Sequence, residues 1–167
     1  RSLACSSGLT PDGKIVAAGY RYVGNQNEFT LARYNSDGSL DPSFGAIHPG
    51  IVTTAIGSSS SAAESLALQP DGKIVAAGYS VVGGWAEFTL ARYNSDGSLD
   101  RSYGRRHAGV GRTPMSSSYK QAKSLALQPD ATLIATDHPQ ANKRHTLTVT
   151  ATNPTRTPQA VSRPLSA

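Results

Sequence analysis

The chain has 167 residues, of which 38% are hydrophobic, 7% aromatic and 16% charged, and its formal net charge is +5. This composition favours a small, soluble, β-rich domain with a thin core. No apolar run is long enough for a membrane-spanning helix, and the single cysteine, Cys5, excludes an internal disulfide.

The dominant feature of the sequence is a repeat with a period of 59 residues. Residues 11–45 and 70–104 are identical at 28 of 35 positions without a gap. A worn third copy follows, in which residues 147–149 correspond to residues 88–90, and the first copy requires a four-residue insertion at residues 5–8. We therefore predict three units, at residues 1–63, 64–122 and 123–167, the last being degenerate with a polar, basic tail.

Each unit contains short β-rich stretches separated by turns. In the second unit they lie at residues 65–69, 73–79 and 88–93, with turns at 70–72 and 94–97. A fourth stretch occupies residues 50–57, and its counterpart at 109–114 is weaker because Pro114 lacks a backbone donor. No stretch has helical periodicity. We predict an all-β fold of tandem four-stranded antiparallel sheets, β-propeller-like, with an incomplete ring because propellers use four to eight blades.

Two segments carry a resemblance to a known family. The sequences Leu-Gln-Pro-Asp-Gly-Lys-Ile-Val-Ala-Ala-Gly at residues 68–78 and Phe-Thr-Leu-Ala-Arg-Tyr-Asn-Ser-Asp-Gly-Ser-Leu-Asp-Pro-Ser-Phe-Gly at residues 29–45 resemble the delta-60 repeat. That family occurs in tandem in large bacterial surface or secreted proteins. The resemblance implies a propeller fold and an extracellular or cell-surface location, and it supplies no catalytic residues.

The favoured function is a non-enzymatic repeat module acting in structure, adhesion or ligand display. Trp85 is the candidate ligand-binding residue, because the repeat does not require it: residues 81–85 correspond to residues 22–26, which contain no tryptophan. Exposed aromatic side chains on loops stack on sugars or peptides. The alternative role for Trp85 is an aromatic lid over a thin blade edge.

The alternative function is a small serine hydrolase. Ser117 and Lys120 fit the Ser-x-x-Lys pattern, in which a lysine helps to deprotonate the serine nucleophile. The corresponding residues of the preceding unit, 58–61, are four serines without a lysine. Chance occurrence in a serine-rich loop is therefore the stronger interpretation of this pair.

No metal site or cofactor is predicted. His48 and His107 occupy equivalent repeat positions, whereas His138 and His145, near Asp137, have no spacing typical of a metal site. The stretches 35–41 and 94–100 resemble a calcium loop. They have Arg33 or Arg92 where the first aspartate is needed, and Phe44 or Tyr103 where the last glutamate is needed, so Asx turns are favoured.

Charge is divided unevenly along the chain. Residues 1–100 carry a net charge of −3 and residues 101–167 carry +8. Nucleic acid is disfavoured as a partner because no recognition motif accompanies the basic residues. We expect self-association, in which an edge near residues 1–4 meets the third unit near residues 147–149, or else further repeats of a longer chain. A carbohydrate or protein ligand remains the other partner.

Overall fold

The computed structural model describes residues 2–104, 108–113, 122–127, 132–137, 145–150 and 161–164. These residues form three four-stranded antiparallel sheets, each with its strands in chain order. The strands of sheet 1 are β1 (Ser2–Leu9), β2 (Ile15–Val23), β3 (Gln26–Tyr34) and β4 (Ile51–Thr54). Those of sheet 2 are β5 (Ser61–Leu68), β6 (Ile74–Val82), β7 (Trp85–Tyr93) and β8 (Val110–Thr113). Those of sheet 3 are β9 (Ala122–Leu127), β10 (Thr132–Asp137), β11 (His145–Thr150) and β12 (Val161–Pro164).

This arrangement confirms the predicted all-β fold of tandem four-stranded sheets that do not close into a ring. The described residues include no helix, and therefore none that could span a membrane. The predicted turns also form: the Gly13 and Gly72 amides donate to the carbonyls of Thr10 and Gln69, each at 2.9 Å.

The central hairpins close through two-residue turns with positive φ at both positions. Gly24 and Asn25 have φ values of 51° and 76°, and Gly83 and Gly84 have φ values of 59° and 84°. This is the geometry of a type I′ turn, whose twist matches that of the flanking strands and which favours glycine and asparagine. The turns therefore fix the register of β2 with β3 and of β6 with β7.

The first strand of sheet 1 contains no insertion, so that expectation was wrong. Ala4 pairs with Gly19 and Ser6 pairs with Ala18, which leaves Cys5 as a bulge. The same bulge falls on Glu64 in sheet 2, 59 residues later. A bulged residue is left out of the ladder, so Cys5 and Glu64 can occupy one position without resembling each other.

The third sheet corrects the alignment of residue 147. Leu147 pairs with Ala135, the counterpart of Ala76, whose own partner is Ala91. Leu147 therefore stands at the position of Ala91, three residues from the predicted position of Phe88. Strand pairing sets this correspondence, and the β10–β11 hairpin closes over a shorter length of chain than the β6–β7 hairpin.

The core lies between sheet 1 and sheet 2, which pack face to face. Sheet 1 contributes Val16, Ala18, Phe29, Leu31 and Phe44, and sheet 2 contributes Ala63, Leu66, Ile74, Ala76, Ala91 and Tyr93. The first strands of consecutive sheets also contact one another, β1 with β5 and β5 with β9. As a result β5 is largely buried whereas β1 is largely exposed.

Gly78 should be intolerant of a side chain, because a methyl group at this position would overlap the backbone oxygen of Ala62 beside the bulge. We expect Gly78→Ala to lower the free energy of unfolding by about 2–3 kcal/mol, since the backbone must move to make room. Urea denaturation would measure the change. Gly111→Ala is the control, because its nearest described contact would be Tyr103 Cε1 at an ordinary 3.8 Å. Equal losses for the two variants would contradict the prediction.

Candidate functional site

Each of the first two sheets contains a cluster of charged residues around one buried aspartate, which we call a lock. The first lock comprises Lys14, Arg33, Asp41 and Ser43. Arg33 Nε and Lys14 Nζ both donate to Asp41 Oδ2 at 2.7 Å, while the Ser43 amide and hydroxyl donate to Asp41 Oδ1 at 3.0 and 2.7 Å. Both carboxylate oxygens are therefore fully engaged.

The second lock repeats this geometry 59 residues later, in Lys73, Arg92, Asp100 and Ser102. Arg92 Nε lies 2.8 Å and Lys73 Nζ 3.1 Å from Asp100 Oδ2, and the Ser102 hydroxyl donates to Oδ1 at 2.6 Å. In each lock the guanidinium stacks on an aromatic ring. The Arg33 carbon lies 4.7 Å from the Phe44 centroid, and the Arg92 carbon lies 4.6 Å from the Tyr103 centroid.

The first lock also joins the two sheets. The Arg33 guanidinium donates to the carbonyl of Ser95 in the turn after β7, and the Gly45 amide donates to the Asp96 carbonyl at 2.9 Å. Arg33 thus holds an aspartate of its own sheet and a carbonyl of the next sheet. This role was missed in the sequence, where the stretch was compared with a calcium loop.

The electrostatics of the locks suit structure better than proton transfer. The Lys14 hydrogen bond holds the pKa of Asp41 well below its ordinary value, although burial opposes the shift. Burial alone would raise the pKa of Asp100, but hydrogen bonds from Ser102 and Lys73 outweigh it and lower the value to about 2. Burial raises the pKa of Tyr103 to about 12. These groups therefore keep their protonation states near neutral pH.

The turns compared with calcium loops are Asx turns, as favoured from the sequence. Asp37 Oδ1 accepts hydrogen bonds from the Ser39 amide at 2.9 Å and the Ser39 hydroxyl at 2.6 Å, and Asp96 does the same with Ser98. Within the part of the chain that the structure describes, no three His, Cys, Asp or Glu residues are grouped to hold a metal ion. His48 is exposed beside sheet 1.

Several predicted residues lie outside the described residues, namely Ser117, Lys120, His107 and His138. His145 begins β11, and Asp137 ends β10 opposite Ala122. The structure therefore brings no partner to the Ser117 and Lys120 pair, and the hydrolase hypothesis gains no geometric support from it.

The hairpin tips of the first two sheets expose large apolar side chains, and we call Tyr22, Val23 and Trp85 the tip surface. Trp85 is 70% exposed and Tyr22 is 49% exposed. Trp85 opens β7 and pairs with Val82 across the two-residue turn. The connector before β5 holds this turn, because the Ser58 amide donates to the Val81 carbonyl at 2.8 Å and Ser58 Oγ accepts from the Gly83 amide at 3.3 Å.

The outer face of sheet 1, which we call the open face, forms a shallow cavity of about 400 Å³. Its lining includes Ala17, Ala32, Tyr34 and Ile51. Their counterparts in sheet 2 are Ala76, Ala91, Tyr93 and Val110, which pack in the core against sheet 1. The open face is therefore a second candidate surface, found only from the structure because its residues are almost identical in the two repeats.

Asp100 should make the fold sensitive to acid. Its carboxylate has a folded pKa of about 2 against an ordinary value of 3.8, so its stabilisation is present above about pH 4 and is lost as pH falls toward 2. We expect Asp100→Asn to cost about 2 kcal/mol in urea denaturation at pH 7, with a difference from the native chain that shrinks below pH 4. Asp71→Asn, in an exposed turn, is the control. A difference independent of pH would argue against a role for the charge.

The same tyrosine should matter in one sheet and not in the other. Tyr93 is fully buried and donates to Thr54 Oγ1 of sheet 1 at 3.0 Å, whereas its counterpart Tyr34 lies on the open face. We expect Tyr93→Phe to destabilise the chain by about 1 kcal/mol and Tyr34→Phe to have less than half of that effect. Thermal unfolding of both variants tests this, and equal effects would contradict the assigned packing.

Comparison with known families agrees with the geometry. The family described as "Domain of unknown function (DUF5122) beta-propeller" matches residues 10–44 and again residues 69–103. A search of curated proteins found no match to the chain. The two matched segments contain β2, β3 and the first lock, and β6, β7 and the second lock, so they carry the features that define each sheet. Residues 10–44 and 69–103 are therefore two tandem repeats of this β-propeller family, which confirms the resemblance to the delta-60 repeat.

Proposed function

We propose that this chain is a non-enzymatic repeat module of an extracellular or bacterial cell-surface protein, acting in structure, adhesion or ligand display. In this proposal the tip surface binds the ligand. One observation carries the proposal: Trp85 is 70% exposed on a hairpin that hydrogen bonds hold in place. A large exposed aromatic side chain on a rigid support is typical of a binding surface.

Differences between the two repeats support a role for the tips. The seven substitutions between residues 11–45 and 70–104 include five between positions 21 and 27, which are the tip of the first hairpin. The strands and locks are otherwise almost unchanged. The repeats thus share one scaffold and differ where they meet solvent, as expected of a scaffold that displays variable loops.

The chemistry of the tip surface favours a carbohydrate ligand or a peptide. An indole ring offers an apolar face for stacking and an N–H donor at its edge. The two-residue turn and the Ser58 hydrogen bonds restrict the hairpin before any ligand arrives. Little conformational entropy is then lost on binding, which favours affinity from a small contact area.

The absence of a poised catalytic group among the described residues supports a non-enzymatic role. A hydrolase needs a nucleophile within hydrogen-bond reach of a base that a third group orients. In the described sheets the buried carboxylates, Asp41 and Asp100, are saturated by cations and serines. The serine hydrolase alternative depends on Ser117 and Lys120, which lie outside the described residues, and no observation favours it.

The extracellular or surface location is supported by the resemblance to repeats that occur in surface or secreted proteins. The open face of sheet 1 supports a partner that extends the array of sheets. Either a second copy of the chain or further repeats of a longer chain would be such a partner, as the sequence predicts.

Trp85 provides a direct test, because it is the only tryptophan in the chain. We expect titration with soluble chitin and β-glucan oligosaccharides to shift and quench its fluorescence in a saturable manner, because stacking removes the indole from water. By calorimetry, Trp85→Ala should weaken the same binding about tenfold, which corresponds to about 1.4 kcal/mol.

Ile47→Ala is the matched control, because Ile47 is an equally exposed apolar residue, 85% accessible, away from the hairpin tips. This variant should bind like the native chain. A panel of peptides tested in the same way distinguishes a protein ligand from a carbohydrate. Binding unchanged by Trp85→Ala, or no binding to either class, would refute the proposed role of the tip surface.

A further inference from the structure

The open face of sheet 1 matches, residue by residue, a face that is buried in sheet 2. In sheet 2 the residues that receive sheet 1 include Ile74, Ala76, Ala91 and Tyr93, each at most 1% exposed. The counterparts in sheet 1, 59 residues earlier, are the identical residues Ile15, Ala17, Ala32 and Tyr34. None of these four is buried, and Ile15 is 39% exposed. The apolar part of a docking surface is therefore present and uncovered.

The polar part of the docking surface is also present. Sheet 2 receives sheet 1 through the Ser61 hydroxyl, the Tyr93 hydroxyl and the carbonyls of Ser95 and Asp96. The corresponding residues of sheet 1 are of the same types, namely Ser2, Tyr34, Ser36 and Asp37. Hydrogen-bonding groups at equivalent positions of an equivalent backbone would bind the same complement, an incoming sheet with a lock.

The complement required by this surface is a lock-bearing face. In the observed interface that face belongs to sheet 1 and supplies the Arg33 guanidinium, the Gly45 amide and the Thr54 hydroxyl. Sheet 1 of a second copy is already covered by its own sheet 2. The lock side of sheet 2 faces sheet 3, because the Leu125 amide donates to Ser65 Oγ at 3.0 Å, as the Leu66 amide does to Ser6 Oγ at 3.3 Å.

Sheet 3 does not provide a lock. Arg33 and Arg92 pair with Val16 and Val75, and the equivalent pair in sheet 3 is Ile134 with Thr148. Threonine has no cation to bridge a carboxylate and a neighbouring carbonyl. The third sheet of a second copy therefore lacks the group that the open face would bind, which weakens the case for a head-to-tail dimer.

We infer that the open face of sheet 1 is a docking surface for one further repeat of this kind, recognised through an arginine at the Arg33 position and its stacked aromatic ring. This interaction extends the array on the sheet 1 side only. It is separate from the tip surface and goes beyond the proposed ligand display, because it concerns how the module is joined to other repeats.

Arg21 adds a requirement for the incoming repeat. Its counterpart, Ser80, is fully buried, and the backbone of Gly57 lies against it. The docked repeat therefore places its connecting segment, the counterpart of residues 55–60, beside the Arg21 guanidinium. A segment with an aspartate or glutamate there would neutralise the charge, whereas a tightly packed apolar segment would be rejected.

The test extends the full chain by one repeat. A second copy of residues 2–60, placed directly before Ser2, keeps the 59-residue spacing and supplies the first lock. Cys5→Ser in both copies, with Ile15→Cys in the original copy, provides one thiol on the open face. We expect Ellman's reagent to label this thiol at least about tenfold more slowly in the extended chain than in the same variant without the extension.

A matched control carries Arg33→Ala and Phe44→Ala in the added copy only. Labelling in this control should return to within about threefold of the rate in the unextended chain, because the lock is missing from the incoming sheet. Trp85 lies in sheet 2, so oligosaccharide binding there is measured independently and its failure would leave this inference standing.

Three results would overturn the inference. The first is an unchanged labelling rate in the extended chain. The second is an added copy that gains no β-sheet signal by circular dichroism, since the open face should stabilise it. The third is protection in the unextended chain that increases with protein concentration, which would assign the open face to a second copy.

Discussion

The contact between sheet 1 and sheet 2 depends on the way in which the charge of Arg33 is balanced. Arg33 is 9% exposed and Asp41 is 3% exposed, and burying either ion alone would cost several kcal/mol. Lys14 and Ser43 complete the shell of Asp41, so that the carboxylate is saturated within its own sheet. The guanidinium is then free to stack on Phe44 and to donate to a carbonyl of sheet 2. Neutralisation within one sheet thereby produces a polar contact between two sheets.

The apolar packing of the sheets follows from the small residues around this contact. Gly19 and Gly78 let the bulged first strands approach β2 and β6, and alanines cover much of the face that sheet 2 presents to sheet 1. Phe29, Phe44 and Tyr93 then supply most of the volume between the sheets. Because each sheet has one lock-bearing face and one receiving face, the array has a direction. Sheet 1 leaves a receiving face uncovered, and sheet 3 has Thr148 where the lock arginine belongs.

Packing and recognition are assigned to different parts of each repeat. The locks and the alanine-rich faces are nearly the same in both repeats, whereas the hairpin tips differ in side chains such as Tyr22 and Trp85. A scaffold that is insensitive to its tips can vary them at little cost to stability. This separation explains why Trp85 was recognisable from the repeat comparison alone: it interrupts an otherwise faithful copy. It also explains why the open face was not recognisable, since identical residues are buried in one sheet and exposed in the other.

The sequence by itself determined the 59-residue period, the all-β fold, the turns and the candidate binding residue, because turn chemistry and strand alternation are local properties that recur with the repeat. It misplaced residues 5–8 and residue 147, because bulges and hairpin lengths are decided by strand pairing and leave weak traces in the chain. It also compared the lock stretch with a calcium loop, since an Asp-rich turn looks the same whether its carboxylate binds a metal or an arginine eight residues earlier. Only the tertiary structure decided that Asp41 meets Arg33 and that one face of sheet 1 is uncovered, because both depend on which sheets lie next to each other.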